Sequence, residues 1–275
     1  MKIVDKNVIA QTPDTRIVQL EISSPDIAQK ALPGQFVVLM VSEKGERIPL
    51  TVVEKDTLGG TITLIFQEVG FTTRLLGKLN KDDALYALVG PLGNPTEIAN
   101  YGKVILVGGG VGIAEIYPVA KALRDKGNHI NAILGARTKE LLILEKKMQE
   151  VSDEVWVTTD DGSYGRKGLV TEVLNELLDK QSYNLVYAVG PIPMMKNVSQ
   201  VATKHKVRTI VSLNALMVDA TGMCGCCRVT VGGQTKFSCV DGPEFEGAQV
   251  DWDELIKRNR AYLEQERHIC KLPLP

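Results

Sequence analysis

The run Gly108-Gly109-Gly110-Val111-Gly112 constrains the fold most, because it follows an apolar stretch at 103–107 and opens a segment of helical periodicity. Glycines at a strand-to-helix turn let backbone N–H groups come close to a pyrophosphate. A tight turn with no ligand is the alternative reading of the same residues. Compact apolar runs at 104–107, 130–134, 155–158, 185–189 and 209–213 alternate with stretches that read as helices, including 138–149 and 169–178. This alternation predicts a mostly parallel sheet with helices on both faces over residues 99–213. Gly190-Pro191-Ile192-Pro193-Met194 follows another buried run, and ligands of open parallel sheets sit at such carboxyl ends. The two loops together point to one nucleotide crevice. Glu115 falls just inside the first helix, where a carboxylate suits the helix N-terminus but discourages phosphate. Pro118 is expected to bend that helix.

Residues 1–98 have a different texture. Short β-type runs at 16–22, 35–41 and 60–68 are separated by turn signals such as Pro33-Gly34 and Gly59-Gly60, which predicts a small antiparallel barrel. The boundary with the α/β region is expected near Gly93-Asn94-Pro95. Arg47-Ile48-Pro49-Leu50-Thr51 follows a strand and, read alone, is a strand entry. Gly70, Thr72 and Thr73 join a strand to a short helix, whose hydroxyls and first-turn N–H groups suit either a phosphate or a simple helix cap.

The third region, 214–275, is too short for a large apolar core and ends in a polar helical tail at 251–267. Four of the five cysteines lie between Cys224 and Cys239, a pattern that suits a metal or redox site in a reducing compartment better than a disulfide framework. Asp219, Cys224, Cys227 and Cys239 reproduce the spacing of plant-type two-iron ligands, with a carboxylate in place of the first thiolate. Structural zinc is the alternative, although Cys239 lacks the nearby second ligand that small zinc sites use. Cys226 reads as a neighbouring free thiol, since ligation by adjacent residues strains the loop. Cys270 stands apart.

Lys plus Arg number 32 against 33 Asp plus Glu, so charge gives no reason to expect nucleic acid or a membrane surface as partner. Met1 to Thr12 carries early charges and no unbroken apolar run, and the expectation is a cytoplasmic protein. His129, His205 and His268 sit among charged residues and are expected to face solvent.

Across roughly residues 1 to 213 the chain resembles the ferredoxin-NADP reductase superfamily, through Pro33-Gly34-Gln35-Phe36, Arg47-x-Pro-x-Thr51, Gly108 to Gly112 and Gly190-Pro-x-Pro-Met194. The resemblance implies an FAD-binding barrel at 1–98 followed by a nicotinamide-binding α/β domain at 99–213. It sets Arg47, Pro49, Leu50 and Thr51 against FAD, with Gly70, Thr72 and Thr73 at its pyrophosphate. Gly109, Gly110, Val111, Gly112, Gly190, Pro191 and Met194 then serve the nicotinamide nucleotide. Arg137 or Lys139 suits a 2′-phosphate and Glu140 a ribose hydroxyl, so NAD(H), which the resemblance favours, and NADP(H) both stay open.

The cysteine region narrows the resemblance to two families that end in a [2Fe-2S] ferredoxin-like module. Electron-transfer subunits of dihydroorotate dehydrogenase normally carry four cysteines. Asp219, Thr221-Gly222-Met223-Cys224-Gly225, Cys227-Arg228-Val229 and the stretch from Phe237 to Phe245 instead resemble small subunits of NADH-dependent reduced ferredoxin:NADP oxidoreductase, although Cys226 stands where that family commonly has Gly. The resemblance implies a heterodimer with a larger flavin and iron-sulfur subunit, and exchange with ferredoxin through that complex. It implies hydride exchange between NAD(H) and FAD, single-electron transfer through the cluster, and electron bifurcation or its reverse. No side-chain acid or base is assigned a catalytic role.

Overall fold

The computed structural model describes residues 1–271. The last four residues of the 214–275 region lie outside the described residues. No described helix is long and apolar enough to cross a membrane.

The first six strands are β1 (Ile3–Gln11), β2 (Arg16–Ser23), β3 (Phe36–Met40), β4 (Ile48–Asp56), β5 (Thr61–Gln67) and β6 (Ala87–Leu92), with α1 (Pro25–Lys30) and α2 (Phe71–Leu76) between them. They pair antiparallel in the order β1-β2-β5-β4-β3-β6. A bridge between Lys2 and Ala84, with Ile3 N–H on the Asp83 carbonyl at 2.9 Å, brings the two ends together. Alternation decides which side chains fill the interior. On β2, Val18, Leu20 and Ile22 point inward and meet Leu39, Leu64 and Phe66.

The second sheet contains β7 (Lys103–Gly109), β8 (His129–Ala136), β9 (Glu154–Thr159), β10 (Arg166–Lys167), β11 (Leu185–Val189) and β12 (Arg208–Ser212), connected through α3 (Gly112–Asp125), α4 (Glu145–Val151), α5 (Val170–Lys180) and α6 (Ile192–Lys204). These strands run parallel. Nearly every residue of β7, β8 and β11 is buried, as expected of a sheet covered on both faces. Val104, Leu106 and Leu134 pack toward α3 and α4, whereas Ile105, Val107 and Val186 pack toward α5 and α6. The barrel joins the first face through Ile17, Val53 and Ile65.

The remaining elements are β13 (Arg228–Val231), β14 (Gln234–Phe237), β15 (Glu244–Glu246), α7 (Trp252–Asn259) and α8 (Leu263–Ile269). β13 and β14 form a hairpin whose two-residue turn, Gly232-Gly233, has φ of 57° and 76°, the geometry that matches strand twist and favours glycine. β15 extends the large sheet by pairing antiparallel with β12, Val211 opposite Phe245. The sheet order is therefore β10-β9-β8-β7-β11-β12-β15. Val229, Val231, Phe245 and Trp252 share the core of the α5 and α6 face, so the third region borrows its burial from the second.

Three local expectations are corrected. The single helix expected at 138–149 is a 3₁₀ turn at Lys139–Leu141, an extended link and then α4. Leu141 and Ile143 are both buried, which favours alternation over helical periodicity, and Leu144 adopts φ 54° before α4 begins. The tail expected as one helix at 251–267 is α7 and α8 with a turn between them. His205 is not solvent-facing: its side chain is 21% exposed and its Nε2 lies 3.1 Å from Asn175.

Because Leu106 is fully buried at the centre of the sheet, Leu106→Ala is expected to cost about 2–5 kcal/mol of unfolding free energy, measured by denaturant titration with circular dichroism.

Candidate functional site

The two glycine loops meet at the carboxyl ends of β7 and β11, where the chain reverses its direction of travel across the sheet. A Cβ on Gly109 would stand 2.4 Å from the Met194 sulfur, and one on Gly190 would stand 2.7 Å from the Met194 methyl. On Gly112 it would stand 2.4 Å from the Val189 carbonyl oxygen, so the start of α3 packs directly on the end of β11. Gly110, by contrast, has φ 58° and open space above it. Its backbone is tethered below by an N–H bond to the Gly135 carbonyl at 2.8 Å. The loops thus form a floor with an open cradle, which fits a nucleotide approaching backbone. Val111 is the N-cap of α3 and Pro191 that of α6. Arg137 is exposed just past β8, beside Lys139, whose ammonium lies over the Tyr164 ring at 5.2 Å.

Across the seam, Ile48, Pro49, Leu50 and Thr51 are all partly exposed, a break in alternation that leaves an open strip at the start of β4. Arg47 precedes them and is exposed. The hydroxyls of Thr72 and Thr73 are engaged locally. Thr72 donates to Glu46, while Thr73 accepts from the Gly70 and Val69 N–H groups at 2.9 and 3.1 Å. Gly70 itself faces open space, with nothing nearer its missing Cβ than the Thr73 hydroxyl at 3.9 Å. The open strip and turn fit a flat ring and its phosphate tail.

The hairpin explains the long gap between Cys227 and Cys239. Cys227 directly precedes β13 and Cys239 follows β14, so the turn brings their sulfurs to 3.2 Å, both buried. Cys224 is exposed and is faced by the backbone amides of Cys226 and Asp219, which hold its thiol below the usual range. Burial and the neighbouring Cys227 push Cys239 up to about 12, while the Gly222 amide points at its sulfur. The donors therefore fall into two pairs, Asp219 with Cys224 and Cys227 with Cys239. Among the described residues no three His, Cys, Asp or Glu side chains converge on one point. Two pairs of thiol and carboxylate donors, with amides at Cys224 and Cys239, fit a two-iron cluster and not the closed cage of a single zinc. The Asp219 carboxylate meanwhile accepts from the Thr221 hydroxyl and, at 3.2 Å, from its amide.

Two features were invisible in the sequence. Arg258 on α7 donates to the carbonyls of Cys226 and Arg228, each at 3.1 Å, and so braces the chain on both sides of Cys227. No spacing signal links residues 30 apart across a hairpin. The second is a buried polar set: the Tyr187 hydroxyl donates to Glu244 at 2.7 Å and Thr96 donates to the same carboxylate. Burial raises Glu244, and burial with the Glu244 charge raises Tyr187 well above its usual range. Glu115, facing Thr51, is ringed by protein, and the lost hydration pushes its carboxyl up to about 7.

Barrel, parallel sheet, paired loops and appended cysteine module together define a nicotinamide-dependent reductase subunit with an iron-sulfur module. Residues 106–200 match the oxidoreductase NAD-binding domain, and residues 214–251 match the iron-sulfur cluster binding domain of dihydroorotate dehydrogenase B. A Thermotoga maritima homolog of the dihydroorotate dehydrogenase B (NAD(+)) electron transfer subunit is 53% identical over 246 residues, 90% of this chain and 87% of that protein. The subunit from a Geobacillus species is 34% identical, over 91% of this chain and 99% of its own length. A chain solved in the structure of an NADH-dependent reduced ferredoxin-NADP oxidoreductase is 51% identical, with a TM-score of 0.91, over 97% of this chain and 95% of that one. The chain belongs to this family of electron transfer subunits.

Removing one member of the buried pair is expected to abolish cluster absorbance. Cys227→Ala should therefore give colour from flavin alone, whereas Cys226→Ala should keep the visible iron-sulfur bands; both are read from absorption spectra of anaerobically purified protein.

Proposed function

We propose that this chain is the electron-transfer subunit of an electron-bifurcating ferredoxin:NADP transhydrogenase. It exchanges hydride between NAD(H) and FAD and passes single electrons through a [2Fe-2S] cluster to a larger flavin and iron-sulfur subunit, ferredoxin being served through that complex. The observation that carries this reading is the pairing of β15 with β12, which fastens the cysteine module to the same sheet that bears both glycine loops. Hydride entry and one-electron exit then share one framework.

Residues 1–98 hold FAD, 99–213 hold the nicotinamide nucleotide, and 214–275 hold the cluster. Arg47, Pro49, Leu50 and Thr51 line the flavin, and the turn at Gly70, Thr72 and Thr73 takes its pyrophosphate. Gly109 to Gly112 and Gly190, Pro191 and Met194 bring the nicotinamide to the seam, with Arg137 at the far end of the nucleotide. Asp219, Cys224, Cys227 and Cys239 ligate the cluster. Bound FAD supplies the conversion between a two-electron hydride and single electrons. The five cysteines carry no disulfide, which supports a reducing, cytoplasmic setting.

The 51% identity to the solved ferredoxin-NADP oxidoreductase chain supports this assignment. The relatives named as dihydroorotate dehydrogenase B subunits sustain a second reading, in which the same cofactors serve dihydroorotate oxidation. Asp219 in the ligand series favours the first.

Anaerobically purified protein is expected to contain flavin, iron and acid-labile sulfide in the absorption spectrum and by chemical analysis. Absence of both flavin and iron contradicts the proposal. Asp219→Cys is expected to keep a cluster but lower its midpoint potential, because a thiolate donates more charge to iron than a carboxylate; potentiometric titration followed by electron paramagnetic resonance reads this directly, and an unchanged potential argues against Asp219 as a ligand.

A further inference from the structure

The last turn of α7 ends in Arg258 and Asn259, two consecutive residues whose side chains both hold backbone of the cysteine module. Asp251 caps the helix by accepting from the Glu254 N–H at 2.9 Å, and its own N–H bonds the Thr230 carbonyl at 2.8 Å, so α7 starts pinned to β13. Trp252, Leu255 and Asn259 follow at i, i+3 and i+7 and share one face of the helix. Trp252 and Leu255 are buried in the core that also contains Cys227 and Cys239, and this packing fixes where the end of the helix falls. There the Asn259 Nδ2 donates to the Asn214 carbonyl at 2.8 Å, and its Oδ1 accepts from the Leu216 N–H at 3.3 Å. Arg258 holds the other side, Nε donating to the Arg228 carbonyl and Nη2 to the Cys226 carbonyl, each at 3.1 Å. Asp219 and Cys224 lie between these two held segments, on the stretch 217–225, which has no helix or strand of its own. One helix turn therefore sets both ends of the loop that carries them. Among the described residues no carboxylate forms an ion pair with Arg258, so its charge is left unneutralised at the carbonyls that flank Cys227.

We infer that Arg258 and Asn259 are positioning residues for the iron-sulfur centre: they hold the 217–225 loop at the span that lets Asp219 and Cys224 complete the set begun by the buried pair Cys227 and Cys239, and Arg258 raises the midpoint potential of the centre. This rests on the cluster reading given above and adds to it what sets the shape and the electrochemistry of the site. A loop with no ladder of its own loses conformational freedom when it closes on a ligand, and a clamp that already holds both of its ends makes that loss smaller. Iron-sulfur potentials follow the charge and hydrogen bonding around the site, and a cation fixed to the backbone beside a ligand favours the state that holds the extra electron. The two effects are separable at Arg258. Lysine keeps the charge but lacks the rigid fork of donors that serves two carbonyls at once. Neither side chain supplies a ligand atom, so both act through the chain they hold.

The test uses the full chain purified anaerobically, as wild type, R258K, R258Q and N259A, with circular dichroism checking the fold of each. Iron and acid-labile sulfide are measured first, and wild-type protein that holds neither overturns the cluster reading and this inference with it. On cluster-loaded protein, potentiometric titration followed by electron paramagnetic resonance is expected to place R258Q at a lower midpoint potential than the wild type, with R258K and N259A close to the wild type because the charge is kept. Bleaching of the visible iron-sulfur bands by an iron chelator gives an independent readout. Iron is expected to be held about 10–100-fold less tightly in R258Q and N259A, and R258K is expected to fall in the same direction. If R258Q does not fold, R258K and N259A carry the test through the chelator. Given a loaded wild type, chelator resistance unchanged in N259A and in the folded Arg258 variants overturns the inference. So does a midpoint potential in R258Q equal to that of the wild type, or one that falls as far in R258K as in R258Q.

Discussion

The antiparallel pairing of β15 with β12 is the constraint on which the rest of the molecule depends. Only three residue pairs make it, Ile210 with Glu246, Val211 with Phe245 and Ser212 with Glu244. Yet this short ladder converts a cysteine-bearing loop with little core of its own into an extension of the nucleotide-binding sheet. Asn94 adds a second attachment, since its side chain donates to the carbonyls of Val240 and Asp241 at 3.2 and 3.1 Å. The stretch after Cys239 is thereby tied to the link between barrel and sheet. Electron transfer needs fixed separations between centres, and a module held at two points, on the parallel sheet and on the link that follows the barrel, is suited to provide them.

That ladder also positions chemistry. Glu244 belongs to β15, so the strand that anchors the cluster module places a buried carboxylate on the Tyr187 hydroxyl of β11, beneath the nucleotide loops. Glu115, in the first turn of α3, lies near enough for its charge to act on the same tyrosine. Burial raises both acids toward their neutral forms. For Glu115, an acid whose folded value lies above its unfolded one, the neutral form stabilises the fold at low pH and that contribution fades as pH rises through about 7. The seam therefore carries a stability cost at high pH, as a functional site held in a tuned electrostatic state is expected to.

Much of the architecture was legible because its signals are local. The run from 103 into Gly112 announces strand, turn and helix within ten residues, and a mostly parallel sheet followed from repetition of that unit. The iron-sulfur module was legible through the cysteine spacing, although spacing did not reveal why eleven residues separate Cys227 from Cys239; the hairpin turn at Gly232-Gly233 does. What escaped were contacts between distant segments. Arg258 reaches the carbonyls beside Cys227 only because α7 folds back, and β15 joins the sheet through residues for which no strand was expected. The 138–149 segment misled because helix-forming residues there were overridden by burial of Leu141 and Ile143. Two separate motifs pointed to one nucleotide crevice, but the packing of Gly109 against Met194 needed the fold.

In the proposed function, hydride enters at the flavin and leaves as single electrons through the cysteine module. Rapid anaerobic mixing of the assembled complex with NADH, with flavin absorbance and the cluster's electron paramagnetic resonance signal followed on quenched samples, tests it most directly. The account predicts flavin bleaching first and a reduced-cluster signal after it, with the second step abolished in Cys227→Ala while the first persists. Cluster reduction that precedes flavin bleaching, or that proceeds in flavin-depleted protein, would contradict it.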